Sequence, residues 1–168
     1  MRTFAARYEG TCPACLEPIH VGDMVTYKTD ALRRERVVHE RCAKRILICD
    51  RDSFVRAAGK RDLAMLSQVV LNALDRAAGA VGSDPAYPVL RQILTSQGEV
   101  DTTVGSSPLA GAVDSLQNML LVAQRGRMVG AAGFAYEVIE WVADLAGRTN
   151  PGLHREIMNG AYTDLQRM

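Results

Sequence analysis

Apolar positions in the second half of the chain recur at helical spacing. Leu63, Leu66, Val70, Leu74 and Ala77 form one stripe, and Val89, Leu90, Ile93 and Leu94 form a shorter second one. Leu109, Val113, Leu116, Leu120 and Ala123 form a third, and Leu153, Ile157, Ala161 and Leu165 a fifth. Between them Val129, Ala132, Ala135, Val138, Ile139, Val142 and Leu145 make a fourth that is apolar on more than one side. Steps of three and four place such residues on one helix face. The pattern predicts five helices, with the fourth at the centre. Asp84-Pro85, Ser107-Pro108 and Asn150-Pro151 each set a favoured capping residue before a proline, which has no N–H to leave unpaired. Glycines at 79, 82, 98, 126 and 147 are read as the helix ends. Gly98 to Ser107 reads as a polar linker, and no internal repeat recurs at a fixed period.

The first half has a different rhythm. Residues 3–8 suit an extended lead-in, Gly22-Asp23 signals a turn, and Met24 to Lys28 alternates weakly as a strand does. Lys28 to Arg34 reads as a polar loop and Arg36-Val37-Val38 as a second strand. From His39 to about Cys49 the pattern predicts a helix, with Cys42, Ile46 and Cys49 on one face and Arg41, Lys44 and Arg45 on another. The fold class is therefore mostly α: a small N-terminal module with short β-hairpins over residues 1–50, a connector over 51–61, and a bundle of about five helices over 62–168.

Composition sharpens this division. The chain has 168 residues and a net charge of +1, with 48% hydrophobic and 23% charged residues, as an ordinary globular protein has. Residues 1–61 carry 13 Lys/Arg against 8 Asp/Glu, and residues 62–168 carry 7 against 11. The first part is thus basic and the second mildly acidic. Arg outnumbers Lys 17 to 3, a bias that a GC-rich coding genome produces, so the position of an arginine informs more than its abundance. Aromatics are only 5%, which argues against an aromatic-rich stacking surface. Apolar stretches are broken by charge well before the roughly 18 residues a membrane span needs. No apolar segment follows Met1-Arg2-Thr3, so no membrane partner and a cytoplasmic location are expected.

All four cysteines lie within the first 49 residues. Cys12-Pro13-Ala14-Cys15 is a C-x2-C knuckle and His39-Glu40-Arg41-Cys42 an H-x2-C knuckle, with 23 residues between Cys15 and His39. Two short turns that each offer two ligands suit tetrahedral Zn2+, and a module this small lacks the core to fold alone. Cys12, Cys15, His39 and Cys42 are the expected ligands. Cys49 could replace His39 to give an all-cysteine site, which would also admit an iron–sulfur cluster, and His20 could substitute as well. Cys12-x2-Cys15, Ile19, Gly22 and Val38-His39-x2-Cys42 resemble a treble-clef-type zinc finger. The spacing is similar to LIM half-domains. The run from Gly10 to Cys15 with Pro18-Ile19, Gly22-Asp23 and Val38-His39 resembles poly(ADP-ribose) polymerase-type fingers, and resembles still more closely small fingers of actinobacterial and phage proteins that often stand beside DNA-processing domains. The resemblance covers residues 3–48. It implies binding of nucleic acid or of another protein.

Arg33, Arg34, Arg36, Arg41, Lys44 and Arg45 cluster in the module. Such a cluster can hold phosphates through charge and counterion release. A solvated basic face, or one turned toward the acidic half, would use the same residues. No HExxH, P-loop, GxSxG or GxGxxG motif occurs. Glu137, Glu140 and Asp144 share a helix face upstream of His154, but the paired Glu-x-x-His pattern of a bundle metal centre is missing. These acids are read as a solvated stripe, and Tyr136, Trp141 and Met119 as core or interface. The expectation is a zinc-finger accessory protein that binds nucleic acid, with the helical half available for homo-oligomerisation or partner recruitment. The alternative is a protein-interaction or assembly protein, such as a phage structural component or host-takeover factor, in which the zinc is purely structural. No enzyme activity is assigned.

Overall fold

The computed structural model describes residues 2–15, 17–29, 35–45, 51–96 and 100–167. The chain divides into two compact units, Met1–Ser53 and Phe54–Met168. It is mostly helical, with short strands confined to the first unit.

In the first unit, β1 (Thr3–Ala5), β4 (Met24–Thr29) and β5 (Glu35–His39) form an antiparallel sheet in the order β1-β4-β5. Phe4 stands opposite Val25, Tyr27 opposite Val37, and Val25 also opposite His39. β2 (Gly10–Thr11) and β3 (Pro18–Ile19) make a separate small hairpin. The chain enters β4 through Gly22, whose φ of +96° suits a residue without a Cβ. Asp23 locks that turn by accepting the His20 N–H on its side chain at 2.8 Å. Thr26, buried in the sheet, donates its hydroxyl to the Arg2 carbonyl at 2.9 Å. The core is small: Ala6, Ala14, Ile19, Val25 and Val38 surround Cys12, Cys15 and Cys42.

The helix expected from His39 onward is shorter in the described residues. His39 is the last residue of β5, and Glu40–Cys42 form one 3-10 turn. The Ala43 N–H bonds Glu40 O at 3.1 Å and the Arg45 N–H bonds Cys42 O at 2.9 Å, the tight pattern of consecutive turns. Lys28 Nζ donates to the Ala43 carbonyl at 2.9 Å and also to that of Arg45, tying this turn to β4. Ile46 and Cys49 lie outside the described residues.

Helices α1 (Arg51–Ala58), α2 (Leu63–Val81), α3 (Ala86–Thr95), α4 (Ala110–Gln124), α5 (Met128–Thr149) and α6 (Pro151–Arg167) follow. α1 occupies much of the stretch read as a connector. Its Phe54 and Ala58, four residues apart, are both buried, an amphipathic pattern too brief to stand out among its charges. α5 packs against α2, α4 and α6, as its broad apolar surface requires. Leu66, Leu74, Leu90, Leu116, Met119, Ile139, Ile157 and Leu165 fill the core. Each such side chain contributes about 1.5–3 kcal/mol by leaving water. Arg76 forms a two-pronged pair with Asp164, at 2.8 and 3.0 Å, and ties α2 to α6. No helix among the described residues is long and apolar enough to cross a membrane.

Two of the three proline starts cap as expected. Asp84 accepts the Ala86 N–H at 2.8 Å, and Asn150 accepts the Gly152 N–H at 3.1 Å. Ser107 does not. Its backbone carbonyl takes the Ala110 N–H in a turn ahead of α4, while its hydroxyl is buried without a hydrogen-bond partner. Gly82 caps the end of α2 as expected, but Gly147 does not end its helix. α2 runs on to Val81 and α5 to Thr149, where Asn150-Pro151 imposes the stop.

Candidate metal centre

Each ligand position has a local cause. Cys12 follows β2, and its N–H donates to the Glu17 carbonyl at 3.0 Å, closing a turn that carries Cys15 back toward it. β4 and β5 pair over five residues, and the last pair, Val25–His39, delivers His39 to the centre of the module. The 3-10 turn after His39 then swings Cys42 inward. Cys12, Cys15, His39 and Cys42 are all buried, and one donor atom from each lies within 4.8 Å of the others. Cys15 Sγ is 3.3 Å from His39 Nδ1. Around a tetrahedral ion with metal–sulfur bonds of about 2.3 Å, sulfurs stand about 3.8 Å apart and sulfur and nitrogen about 3.6 Å. The four side chains therefore fit one metal ion, and three thiols with one imidazole suit a soft or borderline cation.

The electrostatics fit the same ion. Burial pushes the Cys12 thiol up, but the backbone N–H groups of His39, Ala14 and Cys15 outweigh it and hold the thiol at about 7, below its ordinary 9.0. Burial pushes the Cys42 thiol up to about 11, and the crowding Cys15 and Cys12 sulfurs add to the rise. A cation among the three sulfurs removes the repulsion that disfavours the Cys42 thiolate. His39 presents Nδ1 to the cluster and Nε2 toward Asp23, whose Oδ2 is 3.8 Å away. That carboxylate favours the orientation in which Nδ1 is the ligand.

Around the centre, Arg41 pairs with Glu17, and Glu17 also lies 3.9 Å from Cys15 Sγ. Glu17, Asp23 and Lys28 thus brace the site. None carries a spacing signal in the sequence, because each meets its partner only after the chain has closed on itself. Of the basic cluster, Arg41, Lys44 and Arg45 are exposed and Arg36 is half-buried on β5. Arg33 and Arg34 lie outside the described residues, as does Cys49. His20 is exposed and stands outside the four-residue cluster.

In the helical unit the acidic stripe is dispersed among partners. Glu137 accepts a hydrogen bond from the Ser115 hydroxyl at 3.1 Å, and Asp144 lies 3.1 Å from His154 Nε2. Glu140 is exposed. Among the described residues, no other group of three or more His, Cys, Asp or Glu side chains converges as the cysteine cluster does. Comparisons with protein-family models, with curated proteins and with solved structures find no match to the chain.

Proposed function

We propose that the first unit is a zinc-clasped finger that binds nucleic acid, and that the helical unit mediates self-association or recruits a partner. The observation that carries this reading is the closed, buried set of four protein donors in a module that exposes Arg41, Lys44 and Arg45 beside it. Four protein ligands leave no position for a reacting water, so the zinc serves structure and the working part is the surface. Beyond Cys42, Lys44 and Arg45 are exposed, and Arg41 beside them keeps 62% of its side chain in solvent despite its pair with Glu17. Such cations exchange condensed counterions for phosphate contacts. A cysteine hairpin and a β-hairpin ending in His39 support the treble-clef likeness read from the sequence, while Cys42 stands on a 3-10 turn where a helix was expected.

The test is a salt titration of binding to labelled single- and double-stranded DNA and to RNA, with a metal-stripped sample as control. The expected result is micromolar or tighter binding at low salt that weakens steeply as salt rises and disappears without the metal. Alanine at Arg41, Lys44 and Arg45 together should flatten the salt dependence. No binding at low salt by protein shown to hold one zinc would overturn the reading. One observation favours the assembly alternative instead. Leu121, Val129 and Trp141 of the helical unit are exposed apolar side chains of the kind that association covers.

A further inference from the structure

The first unit carries an open groove of about 1220 Å³ on its three-stranded sheet. The chain has nine Phe, Tyr and Trp residues in all, and Phe4, Tyr8 and Tyr27 line this one groove. The strand register explains two of them. Phe4 faces Val25 and Tyr27 faces Val37, so Phe4 and Tyr27 are diagonal neighbours on one sheet face. Their ring centroids are 4.9 Å apart. Tyr27 is 52% exposed and Tyr8 83% exposed, a costly display for rings that could have joined a core as small as this one. Arg2, Arg7 and Arg36 also line the groove, against a single acid, Glu9.

Flat rings open to solvent and guanidinium groups in one groove match a ligand that offers planar bases and phosphates together. In duplex DNA the base faces are stacked on one another and closed to such rings. In a single strand they are open. We infer that this groove takes single-stranded nucleic acid, with bases on Tyr27, Phe4 and Tyr8 and the backbone phosphates toward Arg2, Arg7 and Arg36. The inference rests on the nucleic-acid reading above and sharpens it. It assigns strand selection to the sheet and leaves Arg41, Lys44 and Arg45 as a separate phosphate contact.

The experiment measures fluorescence anisotropy of a labelled twelve-nucleotide single strand and of its duplex, with the full-length zinc-loaded protein. Tyr27→Leu, Tyr8→Ser and an Arg2→Ala/Arg7→Ala variant are compared with the Arg41→Ala/Lys44→Ala/Arg45→Ala variant, and zinc content reports that each module has folded. The expected result is a preference for the single strand. Tyr27→Leu should weaken single-strand binding about tenfold or more with the salt slope unchanged, because stacking carries no counterion release. Tyr8→Ser should act in the same direction. The Arg2/Arg7 variant should lower the slope by about 0.7 per lost contact. Equal affinity for both forms overturns the groove assignment. So does single-strand binding that survives the tyrosine changes and is lost only with Arg41, Lys44 and Arg45, a result that leaves the nucleic-acid reading standing. Absence of binding to either form at low salt overturns both.

Discussion

At the scale of single residues, the thiols make the metal affinity depend on pH. The metal takes thiolates, so protons compete with it and affinity falls as pH falls. The competing state is the metal-free module, which unfolds, so each thiol starts near its ordinary value of about 8.5 rather than at the value that the folded site sets. Each thiol adds to the slope of log affinity against pH the fraction of a proton that it must release. Replacing either Cys12 or Cys42 with Ser should therefore lower that slope by about one proton at pH 6 and by somewhat less at pH 8. Competition against a chromophoric chelator at the two pH values checks this, and a Cys12→Ser effect that vanishes at pH 8 would show instead that the metal-free site stays folded with its Cys12 thiol at about 7. The four ligands were legible in the sequence because each knuckle is local: two residues separate Cys12 from Cys15 and His39 from Cys42. Their supports were not. Asp23 meets His39 across the β4–β5 pairing, and Glu17 meets Arg41 across 24 positions, so no short motif announces either.

At the scale of elements, two substitutions separate capping from packing. Asp62 accepts the Met65 N–H at 2.9 Å and opens α2, and Asp62→Ala should cost about 1 kcal/mol in a chemical denaturation of the helical unit. Gly160 is a sharper case. A Cβ there would come within 2.4 Å of the Arg76 guanidinium carbon, which is engaged with Asp164. Alanine in a helix interior gains about 1 kcal/mol over glycine, but its methyl displaces the guanidinium, the flexible end of a side chain with 28% in solvent, and weakens a charged hydrogen-bonded pair worth about 1.5–3 kcal/mol. Gly160→Ala should therefore destabilise by up to about 2 kcal/mol in denaturant, against its own helix propensity. In an Arg76→Ala background the same change should become neutral or stabilising, which a double-mutant cycle reads directly. Helix starts and ends were legible where backbone chemistry alone decides them, as at Asp84 and Asn150. Gly147 misled because burial of the surrounding stripe outweighs one glycine's propensity cost of about 1 kcal/mol. α1 went unread because its buried residues are too few to show a period.

At the scale of the whole molecule, the two units differ in what holds them. The helical unit buries large side chains from all its helices, including Phe54 of α1, Leu116 of α4 and Ile139 of α5. The first unit buries Ala6, Ala14, Ile19, Val25 and Val38, few and mostly small, around the cysteines themselves. A domain of that size buries too little apolar surface to offset the entropy of ordering its chain, and bound metal supplies the difference. The clustering of the cysteines in the first 49 residues already pointed to a separate first module, whereas the charge asymmetry drawn at residue 61 shrinks because Arg56, Lys60 and Arg61 belong to the helical unit. Stripping the metal should therefore unfold the first unit alone. Iodoacetamide should then modify Cys12, Cys15 and Cys42, which the metal-loaded protein keeps buried, and mass spectrometry would count the additions. Circular dichroism at 222 nm should fall little, because the helices lie almost wholly outside the first unit and keep their own core. Its thermal midpoint should stay within a few degrees of the loaded protein's. Loss of the helical signal together with cysteine protection would show instead that the two units fold as one.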